Sequence, residues 1–240
     1  GNYDGKYKGA IPARQALAES RNAAAMWLMY RSGGIKEVIE TARLLGIGSK
    51  LEPYPTTAIG ASVVTLAELA NAFRAIASGL YGQLHLIEKI NGRGGEALFY
   101  RKHEPVSLYI EEGALAEIRE GLRGNVRLPN GTAHSLAASD FPIPVGGKTG
   151  TTNDFRDALF VGFTYGAEGI TVAVWIGFED YQELGPKETG ARAALPIFKE
   201  ILLGVYGKNL IGPAPEFPEN IEKGIDAYLN RSVEPPSNPQ

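Results

Sequence analysis

The sequence has 240 residues, 44% of them hydrophobic, which allows one domain with a sizeable buried core. A formal net charge of −3 gives no electrostatic basis for nucleic acid or an anionic membrane surface as partner. The absence of cysteine excludes disulfides, iron–sulfur clusters and cysteine-ligated zinc, and His85, His103 and His134 stand far apart in sequence, so neither a metal site nor a cofactor is expected.

From Ile11 to Tyr30 the chain is dense in apolar residues, with Ser20-Arg21-Asn22 interrupting the helical pattern, so two short helices around a turn are expected. Ile35, Val38, Ile39, Ala42 and Leu45 recur at three- and four-residue spacing and Gly46 supplies a stop, which predicts a helix. Pro53-Tyr54-Pro55 marks a loop. Thr65 with Glu68 three residues on forms a capping-box pattern ahead of Leu69, Phe73 and Ile76. Residues 84–90 and 97–100 flank Asn91-Gly92-Arg93-Gly94-Gly95 and predict a small hairpin.

Residues 112–122 read as a further helix, followed by a polar loop to Pro144. Beyond it, residues 147–151, 158–164 and 170–178 read as closely spaced strands that pair antiparallel, and residues 193–206 as a last apolar helix. The segment 213–240 holds six of the fifteen prolines and is expected to be an extended, partly ordered tail, leaving 1–212 as the domain. Helices first, then an antiparallel sheet and a terminal helix, is an α+β pattern.

Lys148-Thr149-Gly150-Thr151 carries the most chemical information. Gly147-Lys148-Thr149 mimics the end of a phosphate-binding loop, but that loop needs glycine six residues before the lysine, where Pro142 stands. On a strand, Lys148 and Gly150 share one side while Thr149 and Thr151 share the other. The glycine would let a peptide lie alongside the strand, with Lys148 and Thr149 holding a carboxylate; an ordinary strand after two glycines is the plain alternative. Taken by itself, Ser20 reads as a cap for a helix starting near Asn22, since serine and asparagine are both strong caps.

The order Ser20-Arg21-Asn22, then Lys148-Thr149-Gly150, then two strands and a helix resembles the serine penicillin-recognising enzymes. Ala16-Leu17-Ala18-Glu19 ahead of Ser20, Ala58-Ile59-Gly60-Ala61, Val174-Trp175-Ile176-Gly177 and Ala194-Leu195-Pro196-Ile197-Phe198 look like bifunctional (class A) penicillin-binding proteins. The resemblance implies a penicillin-binding/serine β-lactamase-like fold. It also implies peptidoglycan cross-linking through a serine acyl-enzyme, with peptidoglycan stem peptides and β-lactam antibiotics as ligands. Ser20 is then similar to the proton-relaying serine, Asn22 to the substrate-orienting amide, and Lys148 to the lysine that supplies positive potential. Thr149 would bind the substrate carboxylate, Gly150 would leave room for the peptide, and the backbone N–H of Thr151 would be half of an oxyanion hole.

None of the ten serines is followed three residues later by lysine, so the nucleophile and base of the family's S-x-x-K motif are absent from the chain, and the chain alone is expected to be inactive. The resemblance implies that the N-terminal strands and nucleophile helix lie outside this sequence, in a membrane-anchored parent of the cell envelope. Loss of that helix would expose apolar surface and favour self-association. A penicillin-recognising scaffold or sensor and a related serine β-lactamase are the alternative readings.

Overall fold

The computed structural model describes residues 2–231. Two short helices, α1 (Ala13–Ala18) and α2 (Asn22–Arg31), are separated by a turn at Ser20, and α3 (Ile35–Leu44) ends where Gly46 adopts φ +93°. Pro55–Ile59 winds into a 3₁₀ turn within what was expected to be plain loop. Helix α4 (Leu66–Ser78) carries both arms of its capping box, and the Glu68 carboxylate also accepts from Gly48 and Ser49, tying the loop after α3 to the start of α4.

A two-residue strand β1 (Leu80–Tyr81) pairs with β4 (Val106–Ser107), a ladder too short to leave a pattern in the sequence. Between them lies the hairpin β2 (Lys89–Asn91) and β3 (Ala97–Tyr100), whose first arm is shorter than expected because residues 84–88 run as an irregular segment. Hairpin pairing places Glu88 against Arg101, whose N–H donates to the Glu88 carbonyl at 2.9 Å. It thereby brings His85 and His103, expected to be isolated, to a ring-centroid distance of 5.2 Å.

Helix α5 (Glu112–Arg127) extends a turn beyond its expected end, and a short α6 (Ser135–Ala138) interrupts the loop that follows. The antiparallel sheet β5 (Gly146–Thr151), β6 (Asp157–Phe163) and β7 (Thr171–Gly177) has β6 in the centre. Residues an odd number apart on β6 face opposite sides, so Phe160 and Phe163 enter two different cores. Phe160 packs with Val145, Leu136 and helix α7 (Leu195–Gly207), meeting Phe198 edge-on at 4.7 Å; Phe163 packs with Ala18, Leu122 and the C-terminal residues Phe217, Ile221 and Ile225.

That last contact corrects the expectation of an extended tail for residues 219–231, while residues 232–240 of that expectation lie outside the described residues. Helix α8 spans Glu219–Arg231, with Ile221 and Ile225 each 2% exposed at a four-residue spacing that puts both on one face. Arg123 donates to Glu222 at 2.8 Å, and Arg127 pairs with Glu222 and Asp226, so α5 anchors α8 by charge as well as by apolar packing. The prolines misdirect because Pro213, Pro215 and Pro218 all precede the helix, while Pro235, Pro236 and Pro239 lie outside the described residues. Replacing Ile225 with alanine is expected to lower unfolding stability by about 2–5 kcal/mol, measured by urea denaturation; a change near zero would mean that α8 does not complete the core.

Candidate active site

Ser20 sits between α1 and α2 with φ +56°, a left-handed conformation that is uncommon outside glycine, asparagine and aspartate. Its hydroxyl does not cap α2: the N-cap is Arg21, with no side-chain cap bond. Instead, the Ser20 Oγ accepts a 2.7 Å hydrogen bond from Nζ of Lys148. The two residues lie 128 positions apart in sequence, and β5 and the α1–α2 turn meet at this bond. Neighbouring contacts hold the turn in place. Glu19, 8% exposed, accepts from Lys8, Gln15 and Arg21, and Arg21 also pairs with Asp4.

Lys148 also donates to its neighbour's carbonyl, Thr149 O, at 3.0 Å. Part of the residue stays exposed, but its ammonium lies deep among protein atoms, and desolvation there lowers the pKa from 10.5 to about 8. An amine of this kind changes protonation state within reach of neutral pH, while a fully solvated lysine does not.

The threonines of β5 go elsewhere, as alternation along the strand requires. Thr149 Oγ1 lies 2.6 Å from Thr132 Oγ1, and Thr132 in turn accepts from Asn125 Nδ2 at 2.8 Å. Asn125 is fully buried and also donates to the Ala18 carbonyl at 2.6 Å. One amide therefore links the end of α1, next to Ser20, with the residue that holds Thr149. Sequence reading missed Asn125 and Thr132. The available signal was a polar residue on the buried stripe of α5, three positions after Leu122 and one before Val126.

Thr151 Oγ1 accepts from the N–H of Gly190, in the π-helical turn Gly190–Ala194 that leads into α7. Gly190 has no room for a side chain, since a Cβ there would stand 2.1 Å from the Leu159 carbonyl oxygen and 2.6 Å from that of Gly150. The turn thus backs tightly onto β5. Gly150 has a packing reason of its own, because an added Cβ would meet the Leu159 side chain at 3.2 Å. Asn22 opens α2, half-buried, and its amide makes no hydrogen bond among the described residues.

The backbone of β5 offers a further binding element. Thr152 N–H donates to Asp157 O on β6, and antiparallel pairs alternate, so the N–H groups of Gly150 and Lys148 point to β6 while those of Thr149 and Thr151 point to the free edge of the sheet. An edge with outward amides, a perturbed amine and hydroxyls beside it can bind an extended peptide and polarise one of its carbonyls. A separate cavity of about 220 Å³, lined by Ser135, Leu136, Ser139, Ala191, Leu195, Pro196 and Lys199, lies between α6 and α7 and contains none of these groups.

Comparison with known proteins gives this geometry a family context. Residues 1–203 match the family model described as the penicillin binding protein transpeptidase domain. Penicillin-binding protein 1A of Aquifex aeolicus is 34% identical over 232 residues, covering 94% of this chain and 30% of its own length. Among solved structures, penicillin-binding protein 1A from Haemophilus influenzae superposes with a TM-score of 0.77 at 23% identity, covering 90% of this chain and 37% of that one. PonA1 from Mycobacterium tuberculosis, solved in complex with penicillin V, gives a TM-score of 0.73 at 23% identity over 91% of this chain and 62% of that one. The chain spans about 28–30% of the length of the first curated relatives it matches. With an antiparallel three-stranded sheet between helical layers and a family match over most of its length, this chain belongs to the penicillin-binding protein transpeptidase domain family.

Proposed function

We propose that this chain supplies the Ser-x-Asn and Lys-Thr-Gly part of a D-alanyl-D-alanine transpeptidase site that cross-links peptidoglycan stem peptides and is inhibited by β-lactams. The observation that carries the reading is the hydrogen bond from Lys148 to Ser20, two residues drawn from separate motifs and joined at a desolvated amine. The family match is to the transpeptidase domain, which favours this reading over a β-lactamase or a non-catalytic sensor.

In the reaction, a serine Oγ attacks the carbonyl carbon of the penultimate D-alanine, its C–N bond breaks, and the terminal D-alanine leaves as an amine; a second stem-peptide amine then displaces the ester. Lys148 and Ser20 together form a path for the proton that the departing amine must gain. The Lys148 ammonium donates to the Ser20 hydroxyl, so Ser20 is free to donate onward, and a pKa of about 8 keeps that exchange close to balanced at neutral pH. Asn22 orients the substrate amide, Thr149 binds the terminal carboxylate, and Gly150 keeps the strand open to the peptide. The outward Thr151 N–H stabilises the developing oxyanion as one of its two donors. The reading assigns the chain to the extracytoplasmic side of the inner membrane. Exposed Trp27, Tyr30 and Tyr54 are surfaces through which it would self-associate.

Because none of its serines carries the following lysine of S-x-x-K, the chain incubated alone with penicillin V should show no covalent adduct by intact-mass spectrometry. An adduct mapped to Ser20 would make Ser20 a nucleophile and overturn its relay role. In a chimera that places an S-x-x-K-bearing transpeptidase segment ahead of residue 1, acylation should return, and Lys148→Ala should slow it by about 10²–10⁴-fold with folding unchanged. An unimpaired Lys148→Ala chimera would refute the reading.

Lys148 also makes stability depend on pH in a direction opposite to a salt-bridged lysine. Its folded pKa of about 8 lies below the unfolded value near 10.5, so between those limits the unfolded chain binds more protons and stability rises with pH. Below about pH 8, a charged amine is held where charge is disfavoured. Lys148→Met is therefore expected to be more stable than the parent at pH 7, by about 1–3 kcal/mol, with the gain shrinking from pH 8 to 10. Urea denaturation at several pH values measures this directly.

A further inference from the structure

The hairpin of β2 and β3 stands apart from both cores: every residue of its two strands is exposed, including Ile90, Leu98, Phe99 and Tyr100. A lone two-stranded hairpin without a buried face is marginally stable in water. Its turn end is closed by the ring of bonds between Gly92 and Glu96 and between Gly95 and Gly92. At its open end the chain places three metal-binding side chains together.

His85 Nε2 lies 3.0 Å from Glu88 Oε2, and His103 Nε2 lies 2.6 Å from Glu88 Oε1. One ligand atom from each residue can be chosen so that all lie within 4.8 Å of one another. The other nitrogen of His85, Nδ1, is 3.2 Å from the Gln83 carbonyl oxygen, which can only accept, so Nδ1 carries a proton. With Nδ1 donating to that carbonyl, Nε2 is the atom left to coordinate a cation, and a carbonyl bond on Nδ1 is the arrangement that commonly fixes the tautomer of a metal-bound imidazole. The second imidazole on the same carboxylate distinguishes this cluster from an ordinary His–Glu pair.

We propose that His85, Glu88 and His103 form a surface site for a divalent transition metal of the zinc class, which staples the two arms of the hairpin. Two imidazole nitrogens and one carboxylate suit Zn²⁺, Ni²⁺ or Cu²⁺ and not the all-oxygen preference of Mg²⁺ or Ca²⁺. Ligand atoms around tetrahedral zinc stand about 3.4 Å apart, so the 2.6 and 3.0 Å contacts to Glu88 need to open while the widest separation closes by about an ångström, which the exposed Glu88 and His103 side chains permit. The remaining positions face solvent and would be filled by water. Because the ligands come from residues 85–88 and from 103, binding cross-links segments on either side of the hairpin and couples metal occupancy to its order. The site is remote in sequence from Ser20 and Lys148 and does not depend on the cell-wall reading.

The test uses the whole chain, stripped with a chelator and dialysed at pH 7.5, then titrated with zinc chloride by calorimetry while backbone hydrogen exchange is followed over residues 89–100. One zinc per chain is expected, together with at least about tenfold slower exchange in the hairpin. The double variant His85→Ala/His103→Ala should lose at least about a hundredfold in affinity and all of the exchange protection. His134→Ala, altered far from the cluster where Nδ1 faces the Val126 carbonyl, should behave as the parent. His103→Gln offers a milder variant should the double one fold poorly by circular dichroism. Absence of stoichiometric binding, binding unchanged in the double variant or in His103→Gln, or zinc uptake that leaves hairpin exchange unaltered would each overturn the proposal.

Discussion

The double burial of β6 is the constraint on which the rest of the structure depends. Ala158, Phe160, Val161 and Phe163 are each 0–1% exposed, and because Phe160 and Phe163 face opposite ways, helices must cover both sides of the sheet. Burying each phenylalanine is worth about 1.5–3 kcal/mol, and the edge-on contact of Phe160 with Phe198 adds about 0.5–1.5. A one-residue slip would reverse every one of these faces, so the register of β5 against β6 is firmly specified. That register in turn sets which amides of β5 reach the open edge and which side Lys148 occupies.

The same packing explains why the site is costly to hold. Lys148 keeps an amine out of water, and Ser20 holds a backbone conformation that non-glycine residues seldom adopt. Both features are individually unfavourable, and both persist because the surroundings over-determine them. The Glu19 ion pairs fix the turn from one side, and Asn125 ties the end of α1 to Thr132 and so to Thr149 from the other. Strain and desolvation therefore collect at a single place, supported by a polar network that contributes position more than stability.

The periphery follows a different logic. The β2–β3 hairpin contributes nothing to either core, and its order rests on a few backbone bonds and on the side chains gathered at its base. Helix α8, although it follows a proline-bearing segment, belongs to the core, because Ile221 and Ile225 fill the face of the sheet under Phe163 and charges from α5 hold the helix against it. Among the described residues no helix is long and apolar enough to cross a membrane.

Periodicity in the sequence determined α3, α4 and the three strands of the sheet, because apolar spacing and capping residues are local signals that tertiary packing reinforced. Local pattern also placed Lys148 to Thr151 on a strand and Ser20 at a turn between two short helices. Tertiary structure alone decided what those residues touch. Locally Ser20 reads as a helix cap, and only the approach of β5 to the α1–α2 turn gives its hydroxyl a distant lysine instead. The buried role of Asn125, the meeting of His85 with His103 and the docking of α8 share that origin. Each depends on partners far along the chain or on strand pairing, and local spacing carries no record of either.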